Sequence, residues 1–277
     1  MYRALNRRTQ ESQRLETMEP VVKIQVHGHT ATVTLNRPEK RNALSRGLLK
    51  ELHQAIDDLH QERKVRGVIL AGAGTVFCAG MDLSEMLATN AQEDRLAQWH
   101  ADSVVYHGLI DAMLRFPKPL VAAVHGPAIA GGAGLVMACD LVVASESATF
   151  GFPEPRRGIV AGMVAPLLAF RVGAAHAANL LFTAKAINAR EAHRYGLFHE
   201  LVDDDKLWAR ANQLVGEIAL SAPEAVQMTK RLLNETIGEQ LLLQLAAGAA
   251  VSAASRTTEA ASEGLAAFLE KREPKWW

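Results

Sequence analysis

The chain has 277 residues, 49% of them hydrophobic, and its 30 basic side chains balance its 30 acidic ones. A chain of this length and apolar content can bury a large core. The balanced charge provides no overall field that would attract nucleic acid or an anionic membrane, so any anion site must be local. No uninterrupted apolar run approaches the about 18 residues of a membrane span. We therefore predict a globular protein with neither nucleic-acid nor membrane partners.

The first 20 residues are polar and contain four arginines, but Glu11 and Glu16 are atypical of a transit peptide. We predict that residues 1–20 form a disordered extension, or that translation starts at Met18.

Two cysteines, Cys78 and Cys139, lie far apart in apolar surroundings, which favours buried free thiols in a reducing compartment over a disulfide. The predicted location is the cytoplasm.

Patterns typical of strands and of helices alternate through the first two-thirds of the chain. This alternation predicts an α/β core of stacked β-β-α units, which we assign to residues 21–200. The predicted elements are a hairpin formed by Val21–Val26 and Thr30–Leu35, helices at Ser45–Arg63 and Asn90–Arg115, and buried strands at Val68–Leu70, Leu120–Val124 and Leu141–Ala144.

After about Gly162 the pattern becomes predominantly helical. Helices are predicted at Ala165–Phe182, Ala189–Tyr195 and Lys206–Leu220. The alanine-rich stretch Leu241–Phe268 has small and apolar residues on more than one face, so it needs cover on both sides. We therefore predict that residues 201–277 form a helical oligomerisation region.

Four short motifs could carry chemistry. They are Leu35–Pro38 with Asn42–Leu44, Phe77–Leu83, Gly126–Gly132 and Phe150–Glu154. Gly131 and Gly132 precede a predicted helix start, where unpaired amides suit a developing oxyanion and glycine lets a ligand approach the main chain. Glu154 lies in an apolar, proline-rich segment that should desolvate its carboxyl and raise its pKa. Each motif alone also fits an ordinary turn or surface loop.

Taken together, the four motifs resemble the crotonase (enoyl-CoA hydratase/isomerase) superfamily over residues 21–277. The resemblance implies a crotonase-like spiral of repeated ββα units followed by C-terminal trimerisation helices. It implies a coenzyme A (CoA) thioester as substrate, without a further cofactor or a metal. The amides of Met81 and Gly131 would form an oxyanion hole, and Glu154 would move the proton. Residues further implied in binding CoA or substrate are Lys40, Arg41, Ala43, Ala79, Gly80, Asp82, Leu83, Ala130, Gly132, Pro153, Gly162, Phe268 and Lys271.

One carboxylate expected from the resemblance is absent. Hydratases of the family carry a glutamate three residues after the second oxyanion glycine, and this chain has Gly134 there. The pattern favours an isomerase that moves a double bond from β,γ to α,β with one base, and Gly134→Glu would then raise hydration. An enoyl-CoA hydratase and a silent CoA-binding or RNA-binding scaffold remain alternatives. A dienoyl-CoA isomerase is disfavoured, because Gly162 stands where its further acid would lie.

The resemblance also implies a homotrimer or a hexamer built as a dimer of trimers. In such assemblies the residues matching Phe268 and Lys271 reach a CoA site, often that of a neighbour. Asp82 is interpreted as an acceptor that pins its loop. Arg156 and Arg157 are either an exposed pair or recognise a polar acyl group. Trp99, Tyr106, Phe150 and Phe152 are candidates for lining the acyl pocket.

Overall fold

The computed structural model describes residues 19–276, so all but the last two residues of the predicted extension lie outside the described part of the chain. The strands are β1 (Val22–His27), β2 (Thr30–Leu35), β3 (Gly67–Gly72), β4 (Leu120–Val124), β5 (Ala128–Ile129), β6 (Leu141–Ser145), β7 (Thr149–Gly151), β8 (Ile187–Asn188) and β9 (Glu200–Val202). The α-helices are α1 (Arg46–Gln61), α2 (Leu83–Asn90), α3 (Arg95–Arg115), α4 (Gly131–Ala138), α5 (Ala165–Thr183), α6 (Ala189–Arg194), α7 (Leu207–Ala219), α8 (Pro223–Arg231), α9 (Glu239–Ser255) and α10 (Glu259–Leu269).

The larger sheet has the strand order β1-β2-β3-β4-β6-β9. Only the β1/β2 hairpin is antiparallel, and the remaining neighbours are parallel. Strand β4 (Leu-Val-Ala-Ala-Val) is buried along its whole length, as expected for a parallel strand covered on both faces. The predicted hairpin and the predicted buried strands are confirmed.

Helices cover both faces of this sheet. Helix α1 begins after Ser45, whose side chain accepts a hydrogen bond from the Leu48 amide at 3.2 Å. The buried leucines and Ile56 of α1 form the predicted apolar face. Helix α7 packs Ala211 and Val215 on the other side, against Val121 of β4. The α/β core was predicted to end at residue 200, but in the structure it extends further. Residue 200 lies in β9, and α7 packs against the larger sheet.

The smaller sheet, in the order β5-β7-β8, brings two distant loops together. Its parallel pair aligns Ala128 with Phe150 and Ile129 with Gly151. The chain leaves β5 directly into α4, and it leaves β7 into the short 3-10 turn Glu154–Arg157. The helix start and the glutamate turn therefore lie at the same end of this sheet.

Glycine and capping residues divide two of the long helices that the sequence predicts. The stretch Leu241–Phe268 is two helices, because Thr258 caps α10 by accepting from the Ala261 amide. Helix α5 is long and apolar enough for a membrane span by length and composition alone, with a mean hydropathy of 1.3. Gly173, at φ 76° and ψ 162°, breaks it into two pieces. Each piece is shorter than a bilayer requires.

Candidate active site

Two unpaired backbone amides lie side by side where the loop before α2 meets the start of α4. The Leu44 amide donates to the Gly80 carbonyl at 2.8 Å and the Asp82 amide donates to the Leu44 carbonyl at 3.1 Å, which holds Met81 between them. Gly80 has φ +86°, and a Cβ built on it would lie 3.3 Å from the Gly131 nitrogen. Among residues 19–276, neither the Met81 nor the Gly131 amide donates to a backbone carbonyl. Both are free to bind an oxyanion.

These amides border a space that we call the inner cavity. Its lining also includes Glu154, Arg157, Ser252 and Arg256, and the remaining lining side chains are apolar. Glu154 is the only carboxylate among its lining residues. The apolar lining residues are Met81, Leu83, Met86, Ala130, Ile159, Val160, Ala161, Met163 and Val164.

The carboxyl of Glu154 is desolvated. Its Oε2 atom is buried and has no hydrogen-bond partner among the described residues. Burial raises the pKa of Glu154 to about 7, against the opposing effect of the positive charges on Arg157 and Arg256. A carboxyl with such a pKa exchanges protons readily near neutral pH.

Helix α10 fixes the turn that carries Glu154. Gly158 ends the turn at φ +67°, and a Cβ there would lie 2.1 Å from the Ala260 carbonyl oxygen. A Cβ on Gly264 would lie 2.3 Å from the backbone carbon of Arg157. Such close approaches need glycine on both sides. The C-terminal helices therefore support the site itself, a role that the sequence pattern did not reveal.

The space beside residue 134 is occupied by Tyr106 of α3. A Cβ built on Gly134 would lie 2.0 Å from the Tyr106 hydroxyl oxygen and 2.7 Å from Cγ1 of Val164. The Tyr106 hydroxyl is fully buried and donates to the Gly131 carbonyl at 2.7 Å. Burial also raises the pKa of Tyr106, so the phenol stays neutral. A neutral donor that orients Gly131 thus fills the place where a second acid was expected.

A second, more open depression, the outer cleft, adjoins the inner cavity and shares Met81, Leu83 and Arg157 with it. Its lining brings together much of the predicted CoA site, namely Lys40, Arg41, Ala43, Ala79, Met81, Asp82, Leu83 and Phe268. Lys40 and Arg41 are exposed. Phe268 lines the cleft of its own chain, and Arg157 lies 4.2 Å from its ring centroid.

Asp82 acts as a structural acceptor in this loop. Its carboxylate forms a 2.9 Å ion pair with Arg37 and accepts from the Ser84 amide at the start of α2. Burial alone would raise the pKa of Asp82, but the hydrogen bonds from Arg37 and Ser84 outweigh it and lower the pKa. The ion pair with Arg37 therefore fixes the end of the loop that directly follows Met81.

Several residues predicted for the site lie outside both linings. Gly132 packs under Cys78, since a Cβ there would lie 2.4 Å from the Cys78 carbonyl oxygen. Gly162 packs against the Gly248 carbonyl of α9 in the same way. Gly80 supports the loop beneath Met81, Pro153 precedes the glutamate turn, and Lys271 is exposed beyond α10.

Gly131 has a packing role in addition to its free amide, and the predicted aromatic residues lie elsewhere than expected. A Cβ on Gly131 would lie 3.1 Å from Leu44 and 3.3 Å from Tyr106, so glycine there relieves packing in the core. Phe150 and Phe152 are buried and stack edge-to-face at 5.3 Å between ring centroids, away from both linings. Trp99 borders a further cavity beyond Arg256.

Sequence and structure comparisons agree on the family. The chain matches the family model for enoyl-CoA hydratase/isomerase over residues 26–277. A Thermus thermophilus protein provisionally named an enoyl-CoA hydratase is 40% identical over 254 residues, 90% of this chain and 98% of that protein. The short-chain-enoyl-CoA hydratase of Clostridium acetobutylicum is 35% identical over 252 residues, 90% of this chain and 95% of that protein.

Solved structures agree as well. The crystal structure of an enoyl-CoA hydratase from Mycobacterium avium superposes with a TM-score of 0.84 at 32% identity, covering 94% of this chain and all of that one. The predicted α/β architecture with C-terminal helices is confirmed. The chain belongs to the enoyl-CoA hydratase/isomerase family of the crotonase superfamily.

Proposed function

We propose that the protein is an enoyl-CoA isomerase that shifts a double bond from the β,γ to the α,β position with a single base. One observation carries this proposal: among the residues that the structure describes, Glu154 is the only carboxylate lining the cavity that the free Met81 and Gly131 amides border. Only a proton moves in the reaction, so it needs no cofactor besides the CoA of the substrate.

In the proposed reaction, the thioester carbonyl oxygen accepts hydrogen bonds from the Met81 and Gly131 amides. Glu154 removes a proton from the α carbon, and the electron pair forms an enolate whose negative charge lies on that oxygen. The protonated Glu154 then donates the same proton to the γ carbon, and the double bond becomes conjugated with the carbonyl. A pKa of about 7 suits a group that must both accept and return a proton. One oxyanion donor contributes roughly 10²–10³ in rate.

Enoyl-CoA hydratase activity is the second candidate, because relatives from Thermus thermophilus and Clostridium acetobutylicum carry hydratase names. Hydration in this chain would need Glu154 to handle the water alone, since Tyr106 fills the space beside Gly134. That phenol is neutral and donates to Gly131, so it is a poor base for water.

The two candidates separate in a direct comparison of substrates. The same preparation is given 3-hexenoyl-CoA and 2-hexenoyl-CoA, and double-bond migration and water addition are followed separately. We expect migration to be the faster reaction at equal substrate concentration. Faster hydration would assign the protein to the hydratases, and the absence of both reactions would favour the silent scaffold.

We also propose that the chain assembles as a trimer or a pair of trimers. Large apolar side chains on the helices after residue 164 are exposed and need cover, among them Phe182, Leu220, Met228 and Leu243, each at least 67% exposed. Light scattering at micromolar concentration should give a multiple of three chains. A monomer would contradict the proposal.

A further inference from the structure

The inner cavity contains a buried cation that the proposed proton transfer does not use. Arg256 directly follows the last residue of α9, next to Ser255, and is only 5% exposed. It lines the inner cavity together with Glu154 and Ser252. Burial lowers the pKa of Arg256 to about 10, so the guanidinium remains charged at neutral pH.

Arg256 has no dedicated counter-ion among the described residues. Its Nε is buried without a hydrogen-bond partner. The nearby Asp102 carboxylate is already held by Arg46 through two hydrogen bonds of 2.7 Å. The other charged lining groups are Arg157, of the same sign, and Glu154, whose carboxyl has the task of moving a proton. A face of Trp99, 5.1 Å away, provides a weaker cation–π contact.

A buried charge without a partner strongly destabilises a fold unless a ligand pairs with it. Arg256 also lines the further cavity that Trp99 borders, but the carboxylates there already accept hydrogen bonds from other groups. The partner that remains is an anion or a strong acceptor that enters the inner cavity. The acyl group is the part of the substrate that enters this space, because the thioester oxygen binds at Met81 and Gly131 and the CoA nucleotide belongs in the outer cleft. Arg157 is less suited, because it stacks on Phe268 and borders both spaces.

We propose that the substrate is the CoA thioester of a short unsaturated dicarboxylic acid, whose distal carboxylate pairs with Arg256. This inference rests on the proposed function for the position of the reacting carbons. Because Glu154 and Arg256 line one small cavity, the carboxylate lies only a few carbons beyond the double bond. A planar guanidinium binds a carboxylate with two parallel hydrogen bonds, which also fixes the orientation of the chain.

Binding of saturated analogues tests the inference without requiring turnover. Adipyl-CoA and hexanoyl-CoA have the same chain length and differ only in the distal carboxylate. We expect calorimetry to give about 10-fold to 100-fold tighter binding of adipyl-CoA, the usual worth of a buried charge-assisted hydrogen bond. Arg256→Met should abolish this preference, and Arg256→Lys should keep part of it. Arg156→Met, at an exposed arginine outside both linings, should leave the preference unchanged.

Turnover then separates this inference from the proposed function. If 3-hexenedioyl-CoA is isomerised faster than 3-hexenoyl-CoA, and Arg256→Met reverses the order, both stand. If adipyl-CoA is preferred in an Arg256-dependent manner but neither enoyl-CoA is isomerised, the inference stands and the isomerase assignment fails. Equal binding of adipyl-CoA and hexanoyl-CoA by the unaltered protein overturns the inference, as does a preference that survives in Arg256→Met. Since the first measurement uses the unaltered protein, misfolding of a variant does not obscure the result.

Discussion

The inner cavity and the outer cleft differ in whether their charged groups are buried or exposed to solvent. Lys40 and Arg41 of the outer cleft are exposed to solvent. Glu154 and Arg256 of the inner cavity have buried polar atoms, and burial shifts the pKa values of both. Water screens charges in the outer cleft, whereas the same charges act strongly in a low-dielectric cavity. Single substitutions should therefore have large effects in the inner cavity and small ones in the outer cleft.

The largest effect is expected for Glu154→Gln. Because this carboxylate is the only one lining the inner cavity among residues 19–276, its loss removes the proposed base, and isomerisation of 3-hexenoyl-CoA should slow by about 10²–10⁴. The binding of hexanoyl-CoA should change little, since the fold and the outer cleft are unaltered. Steady-state kinetics and calorimetry on one preparation provide both measurements.

The matched control is Glu39→Gln, the same change at an exposed carboxylate of the outer cleft. It should leave kcat close to that of the unaltered protein. Full isomerase activity in Glu154→Gln would mean that another group transfers the proton. It would also contradict the expectation that substitutions in the inner cavity have the larger effects.

The same substitution should make the protein more stable at alkaline pH. The folded state holds the Glu154 proton up to a pKa of about 7, whereas an unfolded chain loses it near 4.5. The unaltered protein therefore loses stability as pH rises from 4.5 to 7, and the loss is complete above 7. Gln cannot ionise, so Glu154→Gln should gain of order 3 kcal/mol in unfolding free energy at pH 8 relative to pH 5.

Urea denaturation of both proteins at pH 5 and pH 8 measures this gain. The contributions of all other titrating groups cancel in the difference between the two proteins. A difference that is the same at both pH values would mean that the Glu154 carboxyl is solvated in the folded protein.

A further contrast comes from two helical glycines. Gly134→Ala should cost about 1–3 kcal/mol of stability, because its Cβ would overlap the Tyr106 hydroxyl. Gly216→Ala should gain about 1 kcal/mol, since Gly216 of α7 has open space around it and alanine favours a helix. Thermal unfolding of the two variants measures whether each substitution lowers or raises the stability of the protein.

Adding Tyr106→Phe tests whether the hydroxyl is the obstacle. The cost of Gly134→Ala should be smaller in the Tyr106→Phe background than in the unaltered protein. The same geometry revises an expectation from the sequence: Gly134→Glu would displace Tyr106 before any new acid could act on water. Equal behaviour of Gly134→Ala and Gly216→Ala would show that Tyr106 moves away easily.

The sequence could predict the parts of the site that are built from short contiguous motifs. It could not predict the side chains that tertiary packing brings in from distant parts of the chain. The Glu154 turn and the outer cleft arise from short motifs, and the family resemblance of those motifs was enough to predict that Glu154, Lys40 and Arg41 lie at the candidate site. Tyr106 enters the site from α3 and Arg256 from the end of α9 through tertiary packing, and helical periodicity cannot show which space a side chain fills. Arg256 did leave one signal, because it is the only basic residue between Arg231 and Lys271.

The smallest effect is expected in the outer cleft. Lys40 and Arg41 are exposed, and exposed ion pairs contribute about 0.2–1 kcal/mol each, so Lys40→Ala or Arg41→Ala should weaken binding of hexanoyl-CoA by at most about 5-fold. Since salt screens such contacts, the loss should shrink further when the ionic strength is raised to about 1 M. The proposed preference for adipyl-CoA over hexanoyl-CoA, which we attribute to buried Arg256, should persist in these variants at low salt. A hundredfold loss of affinity in Lys40→Ala would mean that the outer cleft closes around the nucleotide and desolvates its phosphates. The two spaces would then differ in position but not in electrostatics.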